Sequence, residues 1–207
     1  MAINSLHETY FKKLEQMTRD FMESQADDLE KSVDLLVDAW ENGKCVYSFG
    51  NGGSASTASH LACDLAKFTI IPGKPRLKAL CLNDNPSLIS AWTNDSGFGT
   101  IFAEQLEPWI DKGDVLIPIS VHGGSGSGDA GPWSQNLAQA VNLGKERGAK
   151  TIGLSGFDGG FLGEQADICL VAPMDEEPWG TPLIESFHVA LHHLLCLAVK
   201  ERIQHSD

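Results

Sequence analysis

A glycine-rich turn between an apolar segment and a helix start is the feature that most constrains this chain. Residues 45–49 are typical of a short buried strand, and Gly50-Asn51-Gly52-Gly53-Ser54 follows directly. Glycine lets the backbone turn sharply and approach a ligand closely. The start of a helix offers unpaired N–H groups and a partial positive charge, which favour an anion such as a phosphate. The segment therefore predicts a strand–turn–helix unit that can hold a phosphate group.

The rest of the chain alternates between short apolar segments and longer amphipathic ones. The predicted strands are 45–49, 77–82, 114–120, 151–155 and 168–172. The predicted helices are 54–68, 87–110, 134–147, 160–166 and 182–203. Short buried strands separated by helices favour a parallel sheet covered on both faces. We therefore expect a three-layer α/β/α fold with a five-stranded parallel sheet, whose ligands bind beyond the C-terminal ends of the strands.

The first 43 residues are expected to form a helical hairpin in front of this core. Apolar side chains recur at helical spacing in two groups: Leu6, Tyr10, Leu14, Met17 and Phe21, then Leu29, Val33, Leu36 and Trp40. Gly43 is a natural stop. We expect a single domain over 1–207, with 1–43 serving oligomerisation and 44–207 forming the core. The alternative is that the hairpin covers its own core.

The net charge of -13 argues against nucleic acid as a partner, because nucleic-acid binding depends on lysine and arginine contacts to phosphates. No apolar run approaches membrane-spanning length, so no membrane partner is expected. The first residues are polar and charged, unlike a signal peptide. The five cysteines show no paired spacing, which favours reduced thiols and a cytoplasmic protein.

Two predicted helices carry side chains suited to metal binding or proton transfer. His60 and Asp64 are four residues apart, so they share one helix face. The last predicted helix carries four more such residues: Glu185, His188, His192 and His193. If the two helices face each other, the set suits zinc or a similar divalent ion. The same residues could act as general acid and base without a metal.

A second polar loop follows the predicted strand 114–120. It begins Ser120-Val121-His122-Gly123-Gly124-Ser125 and again offers hydroxyls and bare backbone. Its position directly after a strand favours a binding role over a flexible linker.

These motifs together resemble a sugar isomerase (SIS) domain of the phosphoheptose isomerase type over nearly the whole chain. The resemblance is carried by FGNGGSAS, ASHLACDLAKF, GDVLIPIS and TPLIESFHVALHHLLCLAV, in that order. The stretch Thr93-Asn94-Asp95-Ser96-Gly97-Phe98 is similar to the family's Asn-Asp-x-Gly-Tyr segment.

The resemblance implies a homotetrameric aldose–ketose isomerase that converts sedoheptulose 7-phosphate to D-glycero-D-manno-heptose 7-phosphate through an enediol. The implied ligands of zinc or another divalent metal are His60, Asp64, Glu185 and His193, and the implied acid/base pair is Asp64 and His193. The expected substrate-binding residues are Asn51, Gly52, Gly53, Ser54, Asn94, Asp95, Ser120, His122, Ser125 and Glu185.

Three departures from the family pattern leave alternatives open. Asp64 stands where the family has glutamate, and Glu185 stands where it has glutamine. The loop from Ser120 to Ser125 lacks two hydroxyls of the family's Ser-Thr-Ser-Gly-x-Ser. One alternative is an isomerase of a different, unusual sugar. The other is a non-catalytic SIS domain that senses a sugar phosphate or binds a protein.

Overall fold

The computed structural model describes residues 3–124 and 134–206. Its helices are α1 (Ile3–Glu41), α2 (Gly53–Cys63), α3 (Pro86–Ser96), α4 (Ile101–Leu106), α5 (Gln135–Arg147), α6 (Gly160–Gln165) and α7 (Gly180–His205). Its strands are β1 (Cys45–Gly50), β2 (Lys78–Cys81), β3 (Val115–Ile119), β4 (Lys150–Gly156) and β5 (Ile168–Ala172). Each predicted strand therefore exists, with its ends shifted by one residue or less.

The five strands form one parallel sheet in the order β2-β1-β3-β4-β5. Successive side chains of a strand point to opposite faces. In β3, Val115 and Ile117 therefore enter the core beneath α1, α2 and α7, whereas Leu116 enters the core beneath α4 and α5. The predicted three-layer fold with a five-stranded parallel sheet is confirmed.

The predicted N-terminal hairpin is wrong, because residues 3–41 form one continuous helix of 39 residues. The segment contains no glycine or proline that would interrupt the helix, and its apolar positions continue along one face. Met17, Phe21 and Leu36 are buried in the same core as the sheet, and the Phe21 ring packs on Phe187 of α7 at 5.0 Å between centroids. The helix is therefore part of the core.

Two further predicted helices differ from the structure. The segment 87–110 is divided into α3, a short 3-10 turn (Phe98–Thr100) and α4, because Gly97 has a φ of 90° that ends α3. The segment 54–68 changes at Asp64 into a π-helical turn (Asp64–Phe68), where Thr69 N–H donates to the Asp64 carbonyl at 3.3 Å. Single π-helical turns are frequently found at functional sites.

Helix α7 is long and apolar enough, by length and composition, to cross a membrane. Half of that apolar window is buried inside the protein, and Leu183, Leu191 and Leu195 lie in the core beneath the sheet. Its apolar character is thus explained by its place in the core.

Candidate active site

The glycine-rich turn is held in place by Asn83, which follows β2. The Asn83 side-chain amide donates to the Gly50 carbonyl at 2.9 Å and accepts from the Gly50 N–H at 3.1 Å. A Cβ on Gly50 would lie 2.8 Å from the Ile119 carbonyl oxygen, so only glycine fits there. Gly52 has a φ of 57°, which glycine adopts without strain. Asn83 is not among the predicted site residues, although its position directly after a predicted strand is a usable signal.

Asn51 ties this turn to the start of α5. Its side-chain amide and that of Asn136 exchange two hydrogen bonds, of 3.1 and 2.8 Å. Asn136 is fully buried and also accepts from the Leu137 N–H at 2.9 Å. The Asn51 side chain therefore holds the glycine-rich turn against the start of α5. Asn136 carries no motif that could have identified it from the sequence.

The side chain of Glu185, a residue of α7, packs against the first turn of α2. A Cβ built on Gly53 would lie 2.8 Å from Glu185 Cδ and would overlap its carboxylate, so glycine makes room for this side chain. The neighbouring Ser54 is buried. The predicted substrate-binding residues Gly52, Gly53, Ser54 and Glu185 are thus brought together at one end of α2.

The loop after β3 packs against the loop after β4. Ser120 Oγ accepts from the Gly124 N–H at 3.0 Å, and the Gly123 carbonyl accepts from the Leu162 N–H at 2.8 Å. The exposed His122 ring stacks on Phe157, with 4.3 Å between centroids and 23° between planes. Phe157 has a φ of 52°, which a non-glycine residue rarely adopts. The predicted Ser125 lies outside the described residues.

Asn94 and Asp95 are exposed on the last turn of α3. Asn94 Nδ2 donates to Asp95 Oδ1 at 2.7 Å. Their role in substrate binding stays a prediction.

Helices α2 and α7 bring three imidazoles around one carboxylate oxygen. His60 Nε2 and His193 Nε2 each lie 3.5 Å from Asp64 Oδ2, and His192 Nδ1 lies 3.9 Å from the same atom. The ring centroids are 4.1–4.8 Å apart. His60 and His193 are about half exposed, whereas His192 is fully buried. We call these four residues the histidine cluster.

Burial favours the neutral form of two histidines of α7. Burial, together with the smaller effects of the neighbouring His193 and His60, lowers the pKa of His192 to about 3. Burial also lowers the pKa of His188 to about 4, against the opposing effect of its hydrogen bond to the Ser155 carbonyl. In that bond, His188 Nε2 donates at 2.9 Å. His188 therefore faces β4, and His192 and His193 face Asp64.

The donor set of the histidine cluster fits a divalent metal. One atom from each residue lies within 4.8 Å of the others, and imidazole with carboxylate is a ligand set that zinc accepts. Both ring nitrogens of His192 are buried without a hydrogen-bond partner among the described residues. Such a group costs about 1–3 kcal/mol unless something satisfies it. Three predicted metal ligands, His60, Asp64 and His193, thus lie together at the C-terminal end of α2. The fourth, Glu185, lies at the N-terminal end of α2.

The chain matches known proteins over most of its length. Residues 9–156 match the family model described as SIS domain. A phosphoheptose isomerase of Helicobacter pylori (strain P12) is 33% identical over 205 residues, which are 99% of this chain and 100% of that protein. The solved structure of phosphoheptose isomerase GmhA from Neisseria gonorrhoeae superposes with a TM-score of 0.83, at 25% identity, over 97% of this chain and 100% of that one.

Another relative is more similar in sequence but longer. The "Lincomycin biosynthesis protein LmbN" of Streptomyces lincolnensis is 52% identical over 172 residues, or 83% of this chain. The match covers 62% of that protein, so this chain spans less than two thirds of its length.

Proposed function

The chain belongs to the SIS-domain family and is a phosphosugar isomerase of the phosphoheptose isomerase type, and from this premise we propose that it interconverts sedoheptulose 7-phosphate and D-glycero-D-manno-heptose 7-phosphate. The observation that carries the proposal is the pair Asp64 and His193, whose side chains meet at 3.5 Å. A carboxylate beside an imidazole supplies the base and the acid that an aldose–ketose conversion needs.

The proposed reaction moves one proton between neighbouring carbons. Asp64 removes a proton from C1 of the ketose, the C1–H electron pair forms the C1=C2 bond, and the C2 oxygen takes a proton from His193. Asp64 then returns its proton to C2, the O1–H proton goes back to His193, and C1 becomes the aldehyde. Each group ends as it began, so the cycle balances without an external acid or base.

The phosphate of the substrate is proposed to bind at the N-terminus of α2 and the loop after β3. The backbone N–H groups of Gly52 and Gly53 lie at this end of the helix, whereas the Ser54 N–H donates to the Asn51 carbonyl at 3.1 Å. Ser120 adds a hydroxyl whose oxygen accepts from the Gly124 N–H. Ser54 and Asp64 are ten residues apart, or about 15 Å along the helix axis. An extended seven-carbon sugar phosphate with one hydrogen bond at each end spans such a distance.

A divalent metal, with zinc as the proposed ion, is part of this proposal. His60, Asp64 and His193 would hold it, and the fourth ligand implied by the resemblance is Glu185. When bound, such an ion stabilises negative charge on the sugar oxygens. A ring nitrogen or carboxylate oxygen that binds the ion cannot transfer a proton at the same time, so the metal-binding and proton-transfer roles of Asp64 and His193 compete.

A second candidate is an isomerase of a different phosphorylated sugar. It is supported by the 52% identity to a protein named for lincomycin biosynthesis. It is also supported by the loop after β3, in which Val121 and His122 replace two hydroxyl residues of the family pattern. Both candidates use the same chemistry at Asp64 and His193 and differ in the sugar alone.

One experiment separates the two candidates. The purified, zinc-supplemented protein is incubated with a panel of ketose and aldose phosphates in deuterated water, and products are followed by NMR. The proposal predicts turnover of sedoheptulose 7-phosphate with deuterium at C2 of the aldose. Faster turnover of another sugar phosphate by at least tenfold in kcat/KM would favour the second candidate. Absence of turnover with every member would refute the isomerase chemistry.

We also propose a cytoplasmic homo-oligomer, with a tetramer as the expected state. Large apolar side chains are exposed on α1 and α7, among them Phe11 at 67% and Leu197 at 47%. Within the described chain, α3 has no buried residue, which suggests that another subunit covers it. Light scattering of the purified protein tests the assembly, and a stable monomer at micromolar concentration would contradict it.

A further inference from the structure

We infer that His192 takes the fourth metal position in this chain and that Glu185 does not. The inference rests on the proposed metal binding and changes its ligand set to His60, Asp64, His192 and His193. Three observations carry it: the geometry around Asp64, the burial of His192, and the place of Glu185.

The first observation is the convergence on one oxygen. His60, His192 and His193 each bring a ring nitrogen within 3.9 Å of Asp64 Oδ2. Four electron-pair donors that point at one another repel unless protons or a cation lie between them. A tetrahedral zinc site with nitrogen ligands at about 2.1 Å holds its donors about 3.4 Å apart. The donors of the cluster lie within 4.8 Å of one another, so the widest pair would have to approach by about 1.4 Å. The two half-exposed rings, His60 and His193, have the room to move.

The second observation is the environment of His192. Its side chain is fully buried, and neither ring nitrogen has a hydrogen-bond partner among the described residues. A core position that needed only volume would be better served by leucine, because buried polar atoms without partners are destabilising. His188, also buried on α7, has a partner for Nε2 in the Ser155 carbonyl, and only its Nδ1 lacks one among the described residues. His192 differs from it because both of its ring nitrogens lack a partner.

The third observation is the position of Glu185. It precedes His192 by seven residues, or about 10 Å along the axis of α7. Its carboxylate packs against Gly53 at the start of α2, and that contact leaves no room for a methyl group. The histidine cluster lies at the other end of α2, with Asp64 just beyond the last α-helical residue. To reach the cluster, Glu185 would have to leave the contact that Gly53 makes possible.

The test compares three variants of the full chain: His192→Leu, Glu185→Ala and the control His188→Leu, which removes a buried imidazole outside the cluster. Zinc affinity is measured by competition with a chromophoric chelator, and the cobalt-substituted proteins are compared by visible absorption. His192→Leu should weaken zinc binding about 100-fold or more and change the cobalt spectrum. Glu185→Ala and His188→Leu should stay within about threefold of the unsubstituted protein. The chelated His192→Leu protein should also melt at a higher temperature, because leucine removes two unsatisfied buried nitrogens.

A measurement on the unsubstituted protein keeps the inference testable if His192→Leu does not fold. The protein is loaded with an NMR-active cadmium isotope, and the histidine rings coupled to the metal are counted after nitrogen labelling. The inference predicts coupling to all three rings of the cluster. Coupling to two rings, or unchanged zinc affinity in His192→Leu, would overturn it. A protein that binds none of these ions would also overturn it, whereas turnover in the presence of chelator would leave the isomerase proposal standing.

Discussion

The contact between Gly53 and Glu185 predicts that two substitutions depend on each other. An alanine Cβ at position 53 would lie 2.8 Å from Glu185 Cδ, closer than real side-chain contacts allow. Gly53 lies in the first turn of α2, and its φ is not positive, so alanine can adopt its backbone conformation. Alanine should therefore stabilise this position by about 0.4–1 kcal/mol, since it restricts the unfolded chain. In the parent chain, moving Glu185 to a strained rotamer should cost about 0.5–1.5 kcal/mol and cancel that gain.

The assay is thermal unfolding of the chelated protein, followed by circular dichroism. In a Glu185→Ala background, Gly53→Ala should raise the melting temperature by about 1–4 °C, as expected for a chain of this size. In the parent chain it should leave that temperature unchanged or lower it. The control is Gly163→Ala in α6, where a Cβ would have ordinary space at 3.5 Å from the Asp158 carbonyl. Its effect should be equal in both backgrounds. Equal effects of Gly53→Ala in the two backgrounds would refute the placement of Glu185.

Three further outcomes are expected. Asp64→Asn and His193→Gln should each lower kcat about 100-fold or more if they exchange the substrate proton, and a loss below threefold in an NMR assay would remove them from that role. Ser54→Ala and Ser120→Ala should chiefly raise KM, because phosphate contacts act equally in the ground and transition states; a pure kcat effect would argue against a phosphate contact. Burial lowers the pKa of His188 from 6.5 to about 4 in the folded state. As the pH falls, the unfolded state therefore binds the His188 proton before the folded state does. This difference lowers the free energy of unfolding progressively between pH 6.5 and about 4. His188→Leu should flatten the decrease over that range in urea titrations, and an unchanged slope would contradict the pKa shift.

The sheet could be predicted from the sequence because its signals are local. A buried parallel strand is a short apolar run, and the residues that end it are glycine, asparagine or serine, as at Gly50 and Ser120. Five such runs predicted five strands, all of which exist. Gly97 is a helix-stop signal present in the sequence, and α3 ends there. The prediction of one helix over 87–110 follows the apolar pattern instead, because that pattern continues into α4.

The N-terminal helix shows where pattern and conformation separate. Two apolar groups at helical spacing predict two helices, although no residue between them breaks a helix. A hairpin needs a turn with suitable residues, and residues 3–41 contain neither glycine nor proline. The position of Phe21 against Phe187 of α7 is a contact between distant residues, so it could not be predicted from either segment alone.

The sequence by itself determined the residue types of the site and the helices that carry them, because His60 and Asp64 are fixed four residues apart on one helix face. Only the tertiary structure decided which residues of α7 meet that face. Its rotation buries His188 against β4, places His192 beneath Asp64 and leaves His193 half exposed. The axial position of α7 brings Glu185 to Gly53. The physical reason is that helical spacing fixes relations within one helix, whereas rotation and translation between two helices depend on how the whole core packs.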